Sequence, residues 1–494
     1  MRTSSSLTGQ VRSWGRGILT LLCPLLLGAC GEGPQAPTVE PRPNILLIFV
    51  DDMGWRDLGC YGSTFYETPN IDRLAAEGTT FTSAYSAGPV CSPSRGAFLT
   101  GRSPARTGLT GHINPTGAHR YPAAGPIVPP DDFTYLPASE VTIAEALEPF
   151  GYESLSIGKW HVGGAEEHSP EAQGFDTAIA HMAGGARDAP LHHYTYFFPF
   201  FDKSRSPDFQ IPGMAGGEPG EYLTDRITDE ALSWLESRDG SAPFLLYLSH
   251  YAVHTPLEGP EPLVRKYEEK LQTDDSQKSA VYGAMIENLD TNIGRVLDAV
   301  DQAGLADQTI VIFASDNGGT TRATDNSPLR EGKGYLYEGG IRVPMIVKWP
   351  GVTRADTEVD VPVISHDVFP TVLEMVAGSG APPEGPVLDG RSLVPLLTGE
   401  GGLEREVLYW YYPHYSPQAK RPGAAIRVGD WKLIENYDPP GLELFDLGDD
   451  LGEERNLAEA QPEKAAALRK RLYDELEAAG ARLHQPNPAH RPGE

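Results

Sequence analysis

The feature that most constrains the fold is a continuous apolar run from Ile45 to Val50, which ends abruptly at Asp51 and Asp52. Such a run is typical of a strand buried on both faces of a parallel sheet, since a half-exposed strand would alternate with polar residues. Similar short runs lie at 244–248, 310–314 and 344–347. Helix-like stretches separate them, at 68–78, 142–151, 222–237 and 277–303. This alternation predicts a large doubly wound α/β sheet, with ligands bound beyond the carboxyl ends of its strands.

The chain changes character beyond residue 380. A Pro- and Gly-rich stretch leads into strand-like pieces at 407–411, 425–428, 431–434 and 442–447, and then into a charged helix-like stretch at 462–479. We therefore predict a main α/β domain at 44–379 and a smaller α+β subdomain at 380–484, made of an antiparallel sheet and a helix. Residues 485–494 are predicted to form a tail.

The first 30 residues have the pattern of a targeting segment. Arg2, Arg12 and Arg16 precede an apolar stretch of about a dozen residues, which is too short to span a bilayer as a helix (~20 residues needed) and ends in Leu-Gly-Ala-Cys30. This ending resembles a bacterial lipobox, so we predict a signal peptide at 1–29, a lipid anchor at Cys30 and a linker at 30–43. The expected location is extracytoplasmic and membrane-anchored. A plain secretory signal is the alternative.

The charge balance limits the possible partners. With 68 acidic against 40 basic side chains, the formal net charge is −28. This excess of negative charge argues against general binding to nucleic acid or to anionic lipid. An anionic substrate would have to be held by a few local cations or by a metal ion.

Polar clusters follow three of the predicted strands. Asp51 and Asp52 follow the first strand, Asp316 and Asn317 follow a later one, and His250 lies just beyond a third. Four oxygen-donor side chains without a Cys or His cluster suit a hard cation such as Ca²⁺ or Mg²⁺. Taken singly, each cluster could also be an ordinary turn.

The segment from Cys91 to Arg102, with the sequence CSPSRGAFLTGR, is the most specific motif of the chain. Pro93 favours a helix start that would place residue 91 where free N–H groups attract an anion, with Arg95 one turn on. Without the flanking residues, Cys91 would be interpreted as a buried thiol or a disulfide partner of Cys60. The segment resembles the signature of the formylglycine-dependent sulfatases, of the arylsulfatase type within the alkaline-phosphatase-like superfamily.

The resemblance extends over about residues 43 to 480. It includes the Asp pair in 44–59, the Lys-His motif at 158–161, the His-bearing segment at 251–256, the metal-binding segment at 316–319, the second signature around 332–344, and the C-terminal strands at 426–433 and 444–447. It implies that a formylglycine-generating enzyme oxidises Cys91 to an aldehyde. The hydrated aldehyde would offer calcium a hydroxyl ligand, whereas a thiol is a poor ligand for calcium.

The resemblance also implies a role for each site residue. Ca²⁺ would be held by Asp51, Asp52, Asp316, Asn317 and the modified Cys91. One hydroxyl, deprotonated by Asp316, would attack sulfur, while Arg95, Lys159 and Lys333 stabilise the sulfuryl oxygens. His254, with Lys333, would protonate the leaving oxygen, and His161 would help the second hydroxyl to expel sulfate. His250 is interpreted as structural.

These features predict a sulfatase acting on sulfated carbohydrates. The aromatic run at 409–415, followed by Lys420 and Arg421, is compatible with either core packing or a sugar subsite. One alternative is a phosphate or phosphonate ester hydrolase of the same superfamily. The other is a surface glycan-binding lipoprotein with a silent site, in which residue 91 would remain a thiol.

Overall fold

The computed structural model describes residues 42–113, 125–131, 134–163, 166–181, 196–198, 213–214, 216–378 and 386–491. The predicted signal peptide at 1–29, the lipid anchor at Cys30 and most of the linker at 30–43 lie outside these residues, as does the predicted boundary near 380. The chain from Arg42 onward forms one compact unit. Among the described residues, no helix combines the length and the apolar character needed to cross a membrane.

Sixteen strands and eleven helices are described. The strands are β1 (Asn44–Val50), β2 (Thr79–Phe81), β3 (Ala84–Tyr85), β4 (Ile127–Val128), β5 (Glu153–Gly158), β6 (Thr177–Ile179), β7 (Phe244–Ser249), β8 (Thr309–Ser315), β9 (Met345–Lys348), β10 (Thr357–Val359), β11 (Val363–Ile364), β12 (Val407–Tyr412), β13 (Gly423–Val428), β14 (Trp431–Tyr437), β15 (Pro440–Asp446) and β16 (Gln485–Pro486). The helices are α1 (Pro69–Ala76), α2 (Cys91–Thr100), α3 (Pro104–Thr107), α4 (Ile143–Leu147), α5 (Leu223–Ser237), α6 (Glu261–Leu271), α7 (Ala280–Gln302), α8 (Glu338–Ile341), α9 (Val368–Ala377), α10 (Val394–Thr398) and α11 (Pro462–Ala478).

An eight-stranded mixed sheet forms the centre of the molecule, in the order β10-β2-β9-β8-β1-β7-β5-β6. Strand β1 pairs in parallel with both β7 and β8, and β7 pairs in parallel with β5. Only β9 runs antiparallel to its neighbours, β8 and β2. The predicted large doubly wound mixed sheet is confirmed.

Strand β1 is buried on both faces, as its apolar sequence predicts. Leu46, Ile48 and Val50 belong to one core cluster with residues of α1, α5 and α7, whereas Ile45 and Phe49 belong to a second cluster with residues of α2, α4 and α9. Because successive side chains of a strand point to opposite faces, each helical layer contacts alternate residues of the same strand. The central strand therefore stabilises both layers at once.

A second sheet, of the four antiparallel strands β12 to β15, forms the C-terminal part of the fold. One face contributes Trp410 and Tyr412 to a cluster with Tyr337 and Ile341 of the main domain. The other face packs Tyr411 against α11. The sequence left the aromatic run at 409–415 open between core packing and a sugar subsite. Trp410, Tyr411 and Tyr412 are core residues, each at most 4% exposed.

The structure differs from the sequence prediction in two places. Residues 485–494 are predicted to form a tail, but the first two of them, Gln485–Pro486, pair antiparallel with Ile127–Val128. The helix predicted at 142–151 is shorter, with α4 giving way to a 3₁₀ turn at Glu148–Phe150. The cause is Pro149, which has no N–H for an α-helical hydrogen bond.

Candidate active site

The carboxyl ends of four neighbouring parallel strands meet at one edge of the central sheet. Asp51 follows β1, Asp316 follows β8, Lys159 follows β5, and Ser249 ends β7. The strand register sets Val50 opposite Ser315, so Asp51 and Asp316 leave the sheet at the same level. This is where ligands bind in open α/β sheets.

Residue 91 lies at the first position of α2, where the sequence predicts it. Every residue of α2 is buried, and Cys91 itself is 0% exposed. Its Sγ lies 3.4 Å from Asp51 Oδ1 and 3.3 Å from Lys333 Nζ. The unpaired N–H groups of this first turn favour negative charge beside residue 91.

Three buried carboxylates near residue 91 are each paired with a buried cation. The pairs are Lys159 with Asp51, Lys333 with Asp52 at 2.6 Å, and Arg95 with Asp316 at 2.8 Å. All six residues are at most 4% exposed, and their formal charges sum to zero. A bound divalent cation would therefore leave the site positive, which suits an anionic substrate.

Arg95 connects three of the strand ends. Its Nε donates to Asp316 Oδ2 at 2.9 Å, and its Nη1 donates to the Lys159 carbonyl at 3.1 Å and to Ser249 Oγ at 2.6 Å. Because a buried guanidinium with several donated bonds has few alternative positions, Arg95 fixes the geometry of this edge.

Burial and charge act in opposite directions on the acidic groups. Burial alone raises the pKa of Asp51, but the Lys159 ammonium and the nearby His254 and Arg95 outweigh it and lower the pKa to about 2. Burial, together with Asp316 and Asp51, raises the pKa of the Cys91 thiol. An unmodified Cys91 is therefore a poor nucleophile at neutral pH.

Two site residues have left-handed backbone conformations that side chains other than glycine seldom adopt. Asp52 has a φ of 62° and His161 a φ of 61°. Such conformations persist where the surrounding structure over-determines them, and they cluster at functional sites. Asp52 is held there by its own N–H, which donates to Asp316 Oδ1 at 3.1 Å.

Asp51, Asp52, Asp316 and Cys91 each offer one ligand atom, and these four atoms lie within 4.8 Å of one another. Asn317 Nδ2 donates to Asp52 Oδ1 at 2.9 Å, while its buried Oδ1 has no hydrogen-bond partner. An unpartnered amide oxygen beside three carboxylates is what an oxygen-ligated cation requires. The donor set therefore fits a hard divalent cation.

The two histidines predicted to move protons make different contacts near residue 91. His254 Nε2 lies 3.7 Å from Asp52 Oδ2, while its Nδ1 contacts the Thr255 carbonyl at 2.6 Å. His161 Nε2 contacts the Ile113 carbonyl at 3.1 Å. Since a carbonyl only accepts, these contacts place a proton on His254 Nδ1 and on His161 Nε2.

His250 is buried but does not join these contacts. It is 0% exposed, and neither ring nitrogen has a hydrogen-bond partner. Burial lowers its pKa to about 3. The ring is therefore neutral at physiological pH, in keeping with the structural role that the sequence suggests.

Replacing His250 by phenylalanine is expected to weaken the acid sensitivity of the fold. The pKa of His250 in the folded protein lies below its unfolded value of 6.5, so the folded state binds fewer protons than the unfolded state. Protonation of His250 therefore costs no free energy of unfolding above pH 6.5, and the free energy of unfolding declines as pH falls below it. The slope approaches about 1.4 kcal/mol per pH unit. Urea unfolding of both proteins between pH 7 and pH 5 measures it, and equal slopes would contradict the prediction.

The structure adds residues that the sequence did not single out. Ser249 accepts a hydrogen bond from Arg95, and His112 stacks edge-to-face on His161 with ring centroids 4.6 Å apart. Isolated Ser and His residues carry no spacing signal, so only the folded chain identifies them. Cys60 and Cys91 are both free, so they form no disulfide with each other, and Cys60 packs against the main core.

Comparison with known proteins identifies the family. Residues 43–379 match the family model described as Sulfatase, and residues 332–482 match the one described as N-sulphoglucosamine sulphohydrolase, C-terminal. The steryl-sulfatase of Mus musculus is 33% identical over 557 residues, covering 92% of this chain and 84% of that protein. The N-acetylgalactosamine-6-sulfatase of Homo sapiens is 34% identical over 401 residues, covering 76% of this chain and 70% of that protein.

A solved structure supports the same assignment. The crystal structure of Ps i-CgsB in complex with k-i-k-neocarrahexaose has a TM-score of 0.72 and 27% sequence identity, and covers 88% of this chain and 93% of that one. The two family models together span residues 43–482, from the first strand to the C-terminal helix. The chain belongs to the sulfatase family and is a sulfuric ester hydrolase.

Proposed function

We propose that this sulfatase removes sulfate from carbohydrates, using a formylglycine made from Cys91 and a calcium ion held by Asp51, Asp52, Asp316 and Asn317. The observation that carries the proposal is the convergence of three carboxylates and three cations on residue 91, at the first turn of α2. Maintaining six buried charges beside one residue is costly, which supports a chemical role for this cluster.

Calcium is favoured over softer ions because all four protein donors are oxygens. When bound, the cation supplies Lewis-acid polarisation at the sulfate and at residue 91, and the modified side chain supplies hydroxyl groups that a thiol lacks. The buried, unpartnered oxygen of Asn317 supports its role as a ligand.

The protein's own cations bind and orient the sulfate. Lys333 Nζ, 3.3 Å from the side-chain sulfur of residue 91, and Lys159 contact the carboxylates beside it and are placed to bind sulfuryl oxygens. Arg95 Nε and Nη1 donate to Asp316, to the Lys159 carbonyl and to Ser249, so it acts by holding the carboxylate cluster and by its charge. Charges fixed in this way need no reorganisation as negative charge develops in the transition state.

Histidines supply the proton transfers. His254 Nε2 faces Asp52 at 3.7 Å. Because the ring proton lies on Nδ1 and burial lowers the pKa of His254 to about 4, Nε2 must first take up a proton before it can protonate the leaving oxygen. A ring nitrogen of His161 lies within 4.8 Å of the residue 91 sulfur. Burial, with His112 and Lys159 close by, lowers its pKa, so His161 is neutral and can accept a proton from residue 91.

Replacing His254 by alanine is expected to affect poor leaving groups most. A sulfate ester of an alcohol should lose about 10²- to 10³-fold in kcat/KM, because its departing oxygen needs a proton. A nitrophenyl sulfate, whose phenolate leaves unaided, should lose far less. The measurement is the leaving-group dependence over a series of aryl and alkyl sulfates, and an equal loss across the series would show that His254 is not the acid.

The reaction class is tested by comparing a sulfate and a phosphate ester of one phenol. We expect the higher kcat/KM for the sulfate, because the chain belongs to the sulfatase family. Faster turnover of the phosphate would favour the phosphate or phosphonate ester hydrolase. Mass spectrometry of the residue 91 peptide, from protein made in its native host, tests the silent-site alternative, for which an intact thiol is expected.

A carbohydrate substrate is supported by two of the relatives. One relative is named N-acetylgalactosamine-6-sulfatase, and one structural neighbour binds a neocarrahexaose, whereas another relative is named steryl-sulfatase. Release of inorganic sulfate from sulfated galactosamine, from carrageenan oligosaccharides and from a steryl sulfate discriminates among these substrates. Turnover of the steryl ester alone would contradict the proposal.

The same proposal places the enzyme outside the cytoplasm, on a lipid anchor at Cys30. The supporting features are the basic, apolar and Cys-terminated segments at the start of the chain. Membrane fractionation of the native protein and of a Cys30→Ser variant tests the anchor. Equal release of both into the soluble fraction would contradict it.

A further inference from the structure

We propose that, in chains whose residue 91 is still a thiol, Cys91, His112 and His161 form a binding site for Zn²⁺ or another thiophilic divalent cation. This site uses a different donor set from the calcium ligands and shares only residue 91 with them. Its existence in the thiol form is independent of the proposed function, whereas its loss on conversion to formylglycine rests on that function.

The three side chains have the composition and spacing of such a site. Each offers one ligand atom, and the three atoms lie within 4.8 Å of one another. Zinc binds thiolate sulfur at about 2.3 Å and imidazole nitrogen at about 2.0–2.1 Å, which places tetrahedral donors roughly 3.5 Å apart. Side-chain rotations that move the ligand atoms by about 1 Å would bring them from within 4.8 Å to the separation that zinc needs.

His161 has the tautomer that a metal requires. Its Nε2 contacts the Ile113 carbonyl at 3.1 Å, so the N–H is on Nε2 and the lone pair is on Nδ1. That Nδ1 is buried and has no hydrogen-bond partner. Metal-ligating histidines commonly donate their other N–H to a backbone carbonyl, which fixes both the ring and the tautomer. The left-handed backbone of His161 shows that its position is tightly determined.

His112 supplies the second imidazole. It is half-buried, its ring lies edge-to-face on that of His161 at 4.6 Å, and the next residue, Ile113, provides the carbonyl that orients His161. His112 is therefore the most exposed of the three side chains, since Cys91 and His161 are at most 2% exposed.

The chemistry of residue 91 decides which cation is bound. A thiolate with two imidazoles prefers zinc or cobalt to calcium, whereas the carboxylate cluster prefers calcium. The six charged side chains around residue 91 sum to zero, so they do not oppose a divalent cation at the thiolate when no calcium is bound. Binding releases the thiol proton to solvent and forms a metal–sulfur bond. An aldehyde lacks this sulfur, so conversion of Cys91 would remove the site.

The test uses the full chain produced without the oxidising enzyme, with the Cys91 thiol verified by mass spectrometry. Titration with Co²⁺ should give a sulfur-to-cobalt charge-transfer band and visible bands of tetrahedral cobalt, at one ion per chain, and Zn²⁺ should displace the cobalt. His112→Ala should weaken cobalt binding by at least about 10- to 100-fold. Loss of a residue that only hydrogen-bonds a metal ligand already costs that much affinity, and loss of the ligand itself should cost no less.

Matched variants distinguish this donor set from its neighbours. Cys91→Ser must abolish the charge-transfer band, because a band that persists would assign the metal to another cysteine and overturn the proposal. The triad Asp51, Cys91 and His254 is also close enough to hold an ion. Loss of binding in His254→Ala together with unchanged affinity in His112→Ala would therefore also overturn it. Near-ultraviolet circular dichroism verifies that each variant is folded.

The two proposals can fail separately. Sulfatase activity is measured on the converted chain, in which the sulfur is absent, and cobalt binding is measured on the unconverted chain. Absence of cobalt binding would refute the thiophilic site and leave the sulfatase reaction untouched.

Discussion

Replacing Cys91 by serine is expected to abolish repeated turnover of a sulfate ester, lowering steady-state sulfate release by about 10⁴-fold or more. A serine hydroxyl can attack sulfur once. It has no second hydroxyl on the same carbon with which to expel the sulfate, so the chain should keep one covalent sulfuryl group on residue 91.

The structure makes this variant informative. Residue 91 is 0% exposed and begins α2, and serine is close to cysteine in size and well suited to the first turn of a helix, so the fold should be preserved. Lys333 and Asp51, at 3.3 Å and 3.4 Å from the sulfur, remain in place beside the hydroxyl.

The measurement combines sulfate release with the intact mass of the protein after incubation with an aryl sulfate. We expect a mass increase of one SO₃ group in Cys91→Ser and none in Cys91→Ala. Undiminished multiple turnover by Cys91→Ser would show that formylglycine is not required.

Replacing Lys432 by methionine is expected to destabilise the fold by about 3–5 kcal/mol, because it removes the cation that two buried carboxyl groups share. Lys432 Nζ lies 2.8 Å from Glu338 Oε1 and 2.8 Å from Glu453 Oε1, and all three side chains are 0% exposed. Methionine fills much of the same volume, so the loss reports on charge rather than on a cavity.

The pKa values of the two carboxyl groups explain why a single lysine can be buried between them. Burial raises the pKa of Glu453 to about 7, although Lys432 opposes this. Burial acts in the same direction on Glu338, but Lys432, Arg342 and Arg427 outweigh it and lower the pKa to about 2. Below neutral pH the cluster therefore holds a charged Glu338 and a largely protonated Glu453 beside Lys432.

Urea unfolding followed by tryptophan fluorescence measures the effect. Lys470→Met is the matched control, because Lys470 forms an exposed pair with Asp474 on α11 and such pairs contribute about 0–1 kcal/mol. Equal midpoints for Lys432→Met and the parent would show that the buried cluster does not stabilise the protein.

The cluster also shows what sequence reasoning could not supply. Glu338 starts α8 in the second signature, and its N–H donates to Glu453 Oε2 at 2.6 Å across 115 positions of the chain. Arg330 donates to the Glu453 carbonyl at 2.7 Å. The C-terminal sheet is therefore bonded to the segment that carries Lys333, although nothing in the sequence near Lys432 indicates this.

The sequence alone determined the alternation of strands and helices, the burial of β1 on both faces and the fold class, because these depend on local apolar patterns that a few neighbouring residues specify. It also predicted Cys91 at the start of a helix, since a proline two positions on restricts that turn. Which side chains meet around residue 91 was decided only by the tertiary structure. Ser249 with Arg95, His112 with His161, and Lys432 with Glu338 lie far apart along the chain, and their contacts depend on strand order and on how loops pack at the sheet edge rather than on any local pattern.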